Sequence, residues 1–334
     1  MTETTRQIRL VSRPRGWPTH DDFELVELEV PPLEPGQVLV RNSVMSVDPY
    51  MRGRMNETRS YIPPFELGEP LEGGAVGEVV ASESDRLSVG DVVLHQLGWR
   101  EHAVLDAHHA RRVDTSEVPA SAYLGVLGMP GLTAYVGLTR VADLREGDTV
   151  FVSGAAGAVG SLAGQIARNL GAARIVGSAG SPGKISYVVD ELGFDSAFDY
   201  HDGSVARRLR EHAPEGLDLY FDNVGGDHLE GAIANMKDFG RVALCGAVSQ
   251  YNATEAAPGP RNMWLVVSRR LRLQGFIVTD HGDVAKEYLN TAVGWLREGR
   301  LKYRETYADG LDHAVDAFLD LHRGANIGKM LVRL

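Results

Sequence analysis

The apolar residues follow two alternating rules from about residue 150 onward. Val150, Phe151 and Val152 form a short continuous apolar run, as in a parallel strand covered on both faces. Val159, Leu162, Ala163, Ile166, Ala167 and Leu170 then recur at helical spacing along one face. The alternation continues. Strands are predicted at Val150–Ser153, Arg174–Gly177, Ser196–Tyr200, Asp218–Asp222, Arg241–Cys245 and Leu271–Val278. Helices are predicted over Pro182–Leu192, near Val205–His212, over Asp227–Met236 and over Val284–Arg297. Six strands with helical crossovers predict an α/β, doubly wound parallel sheet, with its ligand at the carboxyl ends of the strands.

The first 125 or so residues follow a different pattern: short β segments broken by Pro and Gly, such as Phe23–Val30, Gln37–Val47, Gly73–Ala81 and Asp91–Leu94. This half reads as a compact β-rich domain. The tail, Tyr303–Leu334, returns to strand–helix–strand and is expected to rejoin it. The expected division is therefore residues 1–128 with 302–334 against 129–301, with the active site in the cleft between them. Met45, Met51, Met55, Tyr61, Ile62, Pro63, Pro64, Phe65 and Trp99 gather in the first domain. They read either as the wall of an apolar substrate pocket or as the domain's own core.

Between the first strand and helix of the second domain, Gly154, Gly157 and Gly160 recur at three-residue spacing. Glycine permits a tight turn and close backbone approach, and a helix N-terminus holds an anion, so this arrangement suits a dinucleotide pyrophosphate. A fold selecting NAD usually places Asp or Glu at the end of the second strand. Here Gly177-Ser178-Ala179-Gly180-Ser181 stands in that place, and Lys184 follows within a turn. Small hydroxyl residues beside a cation suit the 2′-phosphate of NADPH. The competing reading is that Lys184 is a solvated residue in a helix's first turn.

At 334 residues the chain is long enough for two cores. Its net charge of −11 contains no long run of one sign, which argues against nucleic acid or an anionic membrane as partner. No apolar stretch approaches the ~20 residues needed to span a bilayer, and MTETTRQIRL lacks a signal-peptide core. A cytoplasmic protein is expected. A single cysteine, Cys245, excludes an internal disulfide and a multi-cysteine zinc site; its apolar setting reads as core. His108 and His109 read as adjacent surface residues on a strand, a poor chelating pair, so no metal is expected. Arg52 and Arg54 read either as attractors for a substrate carboxylate or as structural ion pairs.

The segments SVDPYMRGRM (46–55), VLGMPGLTAYVGL (126–138), GAAGAVGSLAGQIA (154–167), YFDNVGG (220–226), LCGAVSQYNATE (244–255), LQGFIV (273–278) and NIGKMLVRL (326–334) together resemble the zinc-independent medium-chain dehydrogenases/reductases. Within that family they resemble the branch of prostaglandin reductases, alkenal double-bond reductases and NADPH-dependent curcumin reductases. The resemblance implies a Rossmann domain that binds NADP(H) and a GroES-like substrate domain. It implies pyrophosphate contacts from Gly157, Ala158, Val159 and Gly160. Lys184 would meet the 2′-phosphate, with Tyr200 near the adenosine. Asn223 would reach the cofactor from strand four, and Cys245, Gly246, Ala247, Val248, Ser249, Gln250 and Tyr251 would line the nicotinamide ribose. Phe276, Ile277 and Val278 would pack near the nicotinamide, and Asn326 would contribute from the tail.

The implied activity is reduction of the C=C bond of an enal or enone by hydride addition to the β carbon. Two tyrosines are candidate donors to the substrate carbonyl: Tyr50 in Asp48-Pro49-Tyr50, and Tyr251 in the loop after strand five. Tyr251 is also read as ordering a ribose hydroxyl that donates in its place, and Tyr50 as a packed core tyrosine. The rival functions are quinone reduction and non-catalytic NADPH binding. Leu271, Leu273, Phe276 and Val278 suggest an apolar edge strand, and with it a homodimer.

Overall fold

A computed structural model describes residues 4–334. They fall into two compact units, one running to Gly125 and resuming at Glu305–Leu334, the other spanning Val126–Arg304.

In the first unit, β1 (Thr4–Leu10) and β2 (Phe23–Glu29) form an antiparallel pair in register from Thr4↔Glu29 to Leu10↔Phe23. The long strand β3 (Gln37–Ser46) organises the rest. It pairs antiparallel with β4 (Ala75–Ser82) and with β6 (His102–Asp106), and β4 in turn pairs with β5 (Val92–His95), which meets the short β7 (Arg111–Arg112). A single-turn helix, α1 (Tyr50–Arg54), follows β3.

In the second unit, α2 (Met129–Val136) precedes β8 (Thr149–Val152), all four residues of which are buried. Then come α3 (Ala158–Asn169), β9 (Arg174–Ala179), α4 (Pro182–Ser186), β10 (Ser196–Asp199), α5 (Val205–His212), β11 (Leu217–Asp222), α6 (Gly226–Asn235), β12 (Met236–Leu244), α7 (Trp264–Ser268), β13 (Arg272–Gly275) and α8 (Ala285–Arg297). The six strands are all parallel, in the order β10-β9-β8-β11-β12-β13. The order reverses between β8 and β11, which opens a crevice at their carboxyl ends. Phe151, Phe198 and Tyr220 stack across the sheet face, with ring centroids 5.9 and 4.8 Å from Phe151. Gly131 in α2 is fixed by close approach: a Cβ there would lie 2.1 Å from the Tyr288 hydroxyl, which donates to the Val126 carbonyl at 2.6 Å.

The chain then returns to the first unit. Strand β14 (Glu305–Asp309) and helix α9 (Ala314–His322) lead to β15 (Lys329–Arg333), which lies parallel to β14 and antiparallel to β3, with Val332 opposite Met45. Together they complete a seven-stranded sheet. Phe318 of α9 is fully buried and sets its ring edge-on to Trp99 and Phe23, each 6.2 Å away.

Two expectations need correction. The sixth strand does not run from Leu271 to Val278. It ends at Gly275, because its partner β12 ends at Leu244, the residue opposite, and no backbone groups remain to pair with. Phe276 and Ile277 lie beyond it, and Val278 opens a 3-10 turn. Second, Met45, Met51, Met55, Phe65 and Trp99 fill the core of the first unit and do not form a pocket wall; none is more than 4% exposed. Unbranched methionines close the gaps around one large indole. Of that group Tyr61 and Pro63 are exposed, and Ile62 and Pro64 half-buried. Among the described residues, no helix is long and apolar enough to cross a membrane.

Candidate active site

Three segments meet at the carboxyl ends of β8, β11 and β12. The first is the glycine turn. Gly154 takes a left-handed φ of +60°, and a Cβ on Gly160 would lie 2.3 Å from the Gly154 carbonyl, so neither position tolerates a side chain. Gly157 caps α3 without a side-chain acceptor. The first intrahelical bond runs from the Ser161 amide to the Gly157 carbonyl. The amides of Ala158, Val159 and Gly160 therefore point out of the helix end, the geometry that receives a phosphate.

The second segment is the turn after β11. Asn223 donates its side-chain amide to the Ser153 carbonyl at 2.7 Å and its backbone amide to Ser153 Oγ at 3.0 Å, which lays it against the glycine turn. Gly225 and Gly226 both take positive φ (+71° and +51°), turning the chain into α6.

The third segment is the loop Cys245–Tyr251. Cys245 and Gly246 donate to the Asp222 carbonyl at 2.9 and 3.0 Å, and Val248 donates to the Asn223 carbonyl at 3.2 Å. Ser249 donates to the Val224 carbonyl through its amide and its hydroxyl, at 3.2 and 2.6 Å. A Cβ on Gly246 would lie 3.3 Å from the Tyr251 hydroxyl and 3.4 Å from the Asn223 carbonyl, so the Tyr251 ring folds back over Gly246 toward Asn223. Ala247 and Gln250 approach Gly225 from the same loop. Burial pushes the Cys245 thiol up to about 12, and Asp222 adds to the shift, so this cysteine is no nucleophile at neutral pH.

At the end of β9 no carboxylate follows Ala179. Ser181 caps α4, accepting the Lys184 amide at 3.4 Å. Burial lowers the Lys184 pKa. The Tyr200 hydroxyl sits over Gly180, where a Cβ would come within 2.7 Å of it, and the Tyr200 ring meets His228 edge-on at 5.3 Å. This end of the site brings together small residues, Lys184 and the Tyr200 ring, with Asp199 opposite Ala179 on β10 and held by His201 at 2.8 Å.

Phe276 packs edge-on to Phe221 at 6.4 Å and crowds Gly137, where a Cβ would lie 2.9 Å away; Ile277 and Val278 follow, half-buried.

Tyr50 and Asn326 belong to the first unit. Asn326 is buried and donates to the Gly328 carbonyl at 2.7 Å, within its own turn before β15. Tyr50 opens α1 and packs half-buried on the methionine core. Two residues earlier, Asp48 is buried, accepts the Ser46 hydroxyl, and pairs with Lys329 at 3.1 Å. Lys329 also donates to the carbonyls of Val47 and Met330 at 2.7 and 2.9 Å, so the tail strand is bolted to the segment that carries Tyr50. Burial, then Asp48, raises the Tyr50 pKa well above the usual tyrosine value, while Arg54 opposes the shift.

Arg52 and Arg54 do not present themselves to an incoming carboxylate. Arg52 is 2% exposed and donates to the carbonyls of Pro14 and Gly16. Arg54 pairs with Glu72 at 2.8 Å and lies 4.0 Å over the Phe65 ring. His108 and His109 are exposed as read, in a 3-10 turn capped by Asp106 and not on a strand. Among the described residues, no group of three His, Cys, Asp or Glu side chains is placed to hold a metal ion.

Reading the sequence missed Ser153, Tyr220 and Asp222, whose side chains connect the three segments. The available signal was an aspartate closing the strand LDLYFD, which also carries Asp218 near its start.

A doubly wound sheet with a glycine turn at its reversal point, in a chain that also carries a separate β-rich unit, is the architecture of a dinucleotide-dependent oxidoreductase. Two family models match, "N-terminal domain of oxidoreductase" over residues 6–113 and "Zinc-binding dehydrogenase" over residues 158–294. The chain is 39% identical to the NADPH-dependent curcumin reductase of Escherichia coli (strain K12), over 99% of this chain and 97% of that protein. It is 38% identical to the NADP(+)-dependent 2-alkenal reductase of Nicotiana tabacum, over 98% and 97%. The crystal structure of CurA from Vibrio vulnificus in complex with NADPH superposes with a TM-score of 0.94 at 40% identity, covering 98% of both chains. The chain belongs to the medium-chain dehydrogenase/reductase family, in its zinc-independent branch of curcumin, alkenal and prostaglandin reductases.

The raised Tyr50 pKa has a measurable consequence. Burial disfavours the phenolate, so Tyr50 stays protonated at pH 10, where an unperturbed tyrosine is half ionised. Tyrosinate absorbance of the native protein and of Tyr50→Phe should rise with the same amplitude up to pH 10. A smaller rise in the variant contradicts this.

Proposed function

We propose that this protein reduces the carbon–carbon double bond of α,β-unsaturated aldehydes and ketones, with NADPH as the reductant. The observation that carries the reading is the contiguous surface formed by the glycine turn, the Asn223 turn and the Tyr251 loop. Its elements fit that cofactor. The amides of Ala158, Val159 and Gly160, in the first turn of α3, suit a pyrophosphate. The carboxylate-free end of β9, with Ser181 and Lys184, accommodates a 2′-phosphate that an Asp or Glu would repel. Tyr200 offers a ring for the adenosine. In this reading Cys245 to Gln250, Tyr251 and Phe276 to Val278 would line the ribose and nicotinamide, and Asn326 remains the residue the family resemblance adds from the tail. Relatives that match nearly end to end are named for NADPH-dependent reduction of curcumin and of 2-alkenals.

Bound NADPH supplies a hydride, which adds to the β carbon of the substrate. Negative charge then gathers on the carbonyl oxygen as an enolate. The protein's task is to place a neutral donor at that oxygen. A tyrosine kept protonated by burial does this at any physiological pH, and an enolate spreads its charge enough to need no metal. Tyr50 and Tyr251 are the two donors in play, Tyr251 acting directly or by ordering a ribose hydroxyl.

A second copy of the chain is the proposed partner. Strand β13 pairs only with β12 and leaves its other edge open. Phe239, Trp264 and Val267 of the same unit are 65, 67 and 79% exposed. Open edges and apolar patches of this kind are normally covered. Size-exclusion chromatography should give a dimer; a monomer at micromolar concentration contradicts the proposal.

Oxidation of NADPH with one enal, one enone, one saturated aldehyde and one quinone tests the activity, with NADH in parallel. Turnover of the enal and enone is expected, and none of the saturated aldehyde. Turnover confined to the quinone makes the protein a quinone reductase, and none at all leaves a non-catalytic NADPH-binding protein. Lys184→Ala should raise the KM for NADPH about tenfold or more, since it removes a charge-assisted contact, and leave that for NADH unchanged. Tyr50→Phe or Tyr251→Phe should lower kcat about a hundredfold, by the loss of a donor to a developing oxyanion, with NADPH affinity kept. Unchanged turnover in both variants overturns the tyrosine assignment.

A further inference from the structure

Asp222 ends β11, the strand at which the sheet order reverses, and is 1% exposed. Its Oδ1 accepts the Tyr220 hydroxyl at 2.6 Å, the Gly225 amide at 2.8 Å, the Val224 amide at 3.0 Å and the Ser153 hydroxyl at 3.3 Å. Its carbonyl receives the amides of Cys245 and Gly246. Its Oδ2 is buried and has no hydrogen-bond partner among the described residues. Isolating a carboxylate from water is costly, and a structural turn needs no charge to close. Here four donors converge on a single oxygen, and they come from the segment before the glycine turn, from β11 itself and from the turn carrying Asn223. The Ser153 hydroxyl, also 2.9 Å from the Tyr220 hydroxyl, receives the Asn223 amide.

We infer that Asp222 is a positioning residue for the cofactor: its Oδ1 locks the Asn223 turn against the glycine turn, and through the Asp222, Asn223 and Val224 carbonyls it sets the loop that carries Tyr251. The inference rests on the proposal that these segments hold NADPH. Asp222 itself touches no reacting atom. Its effect is confined to the part of the site formed by β8, β11 and β12. The adenosine end is formed by β9, α4 and Tyr200; it meets α6 through His228, edge-on to the Tyr200 ring, and among the described residues makes no hydrogen bond to the Asp222 side chain.

That division provides the test. Dissociation constants are measured by calorimetry for NADPH and for adenosine 2′-monophosphate, which carries the 2′-phosphate but no 5′-phosphate to reach the glycine turn. Asp222→Asn keeps the shape and an acceptor but loses the charge, and charge-assisted bonds are about twice as strong as neutral ones. It should weaken NADPH binding about tenfold and leave the 2′-monophosphate within about twofold of native. Tyr220→Phe keeps the ring stacked on Phe151 and removes the shortest donor; it should weaken NADPH about threefold, again sparing the 2′-monophosphate. If Asp222→Asn does not fold, Tyr220→Phe decides alone. Unchanged NADPH affinity overturns the inference, and so does an equal loss for both ligands, the mark of a merely structural role. A third variant, Asn223→Ala, separates the two levels. If it leaves NADPH affinity at the native value, the cofactor reading of this turn fails and the inference with it. If it weakens NADPH while Asp222→Asn and Tyr220→Phe do not, only the inference fails.

Discussion

The carboxylate of Asp222, buried at the end of the central strand, is the constraint on which the candidate site depends. Three backbone segments with no regular secondary structure meet there, and irregular backbone needs partners for its amides and carbonyls. Asp222 supplies two acceptors: a side-chain oxygen for the turn that follows it, and a carbonyl for the loop after β12. Ser153 and Asn223 complete the connection to the glycine turn. The result is a rigid lining at the carboxyl ends of β8, β11 and β12, which is where a doubly wound sheet binds ligands.

The first unit solves an analogous problem with an ion pair. Asp48 and Lys329 are buried together, 3.1 Å apart, and Lys329 spends its other donors on the carbonyls of Val47 and Met330. Breaking one partner of such a pair leaves an isolated charge, so the tail strand β15 and the segment entering α1 are held in one arrangement. Tyr50 inherits its placement from that arrangement and its protonation from the burial around it.

Much of the second unit was legible because its signals are local. Val150–Val152 is apolar without a break, and such a run belongs in a sheet covered on both faces; β8 is buried throughout. The helix near Val205–His212 emerges with those limits. The glycine turn was readable from spacing, and the missing carboxylate after β9 from simple inspection. What was not legible depends on partners distant in sequence. Strand β13 stops at Gly275 because β12 stops at Leu244, and a single strand's composition does not carry its neighbour's length. Met45, Met51, Met55, Phe65 and Trp99 suit a pocket wall and a core equally; helix α9, arriving from the far end of the chain with Phe318, makes them core. Arg52 and Arg54 suit a substrate carboxylate and a structural role equally in sequence; the carbonyls of Pro14 and Gly16, and Glu72, all outside the motif, decide for the structural role. The Asp222 network joins residues about seventy positions apart, and the strand LDLYFD, with an aspartate near each end, does not itself mark which one is buried and bonded.

The central claim is that hydride goes to carbon β to a carbonyl and that a tyrosine donor serves the oxygen. The most direct test follows the label. NADPH deuterated at both transferable positions of its nicotinamide ring is used to reduce a simple enone, and the product is examined by nuclear magnetic resonance. The account predicts a saturated ketone with its carbonyl intact and one deuterium on the β carbon. Deuterium on a carbinol carbon, in an allylic alcohol, would contradict it.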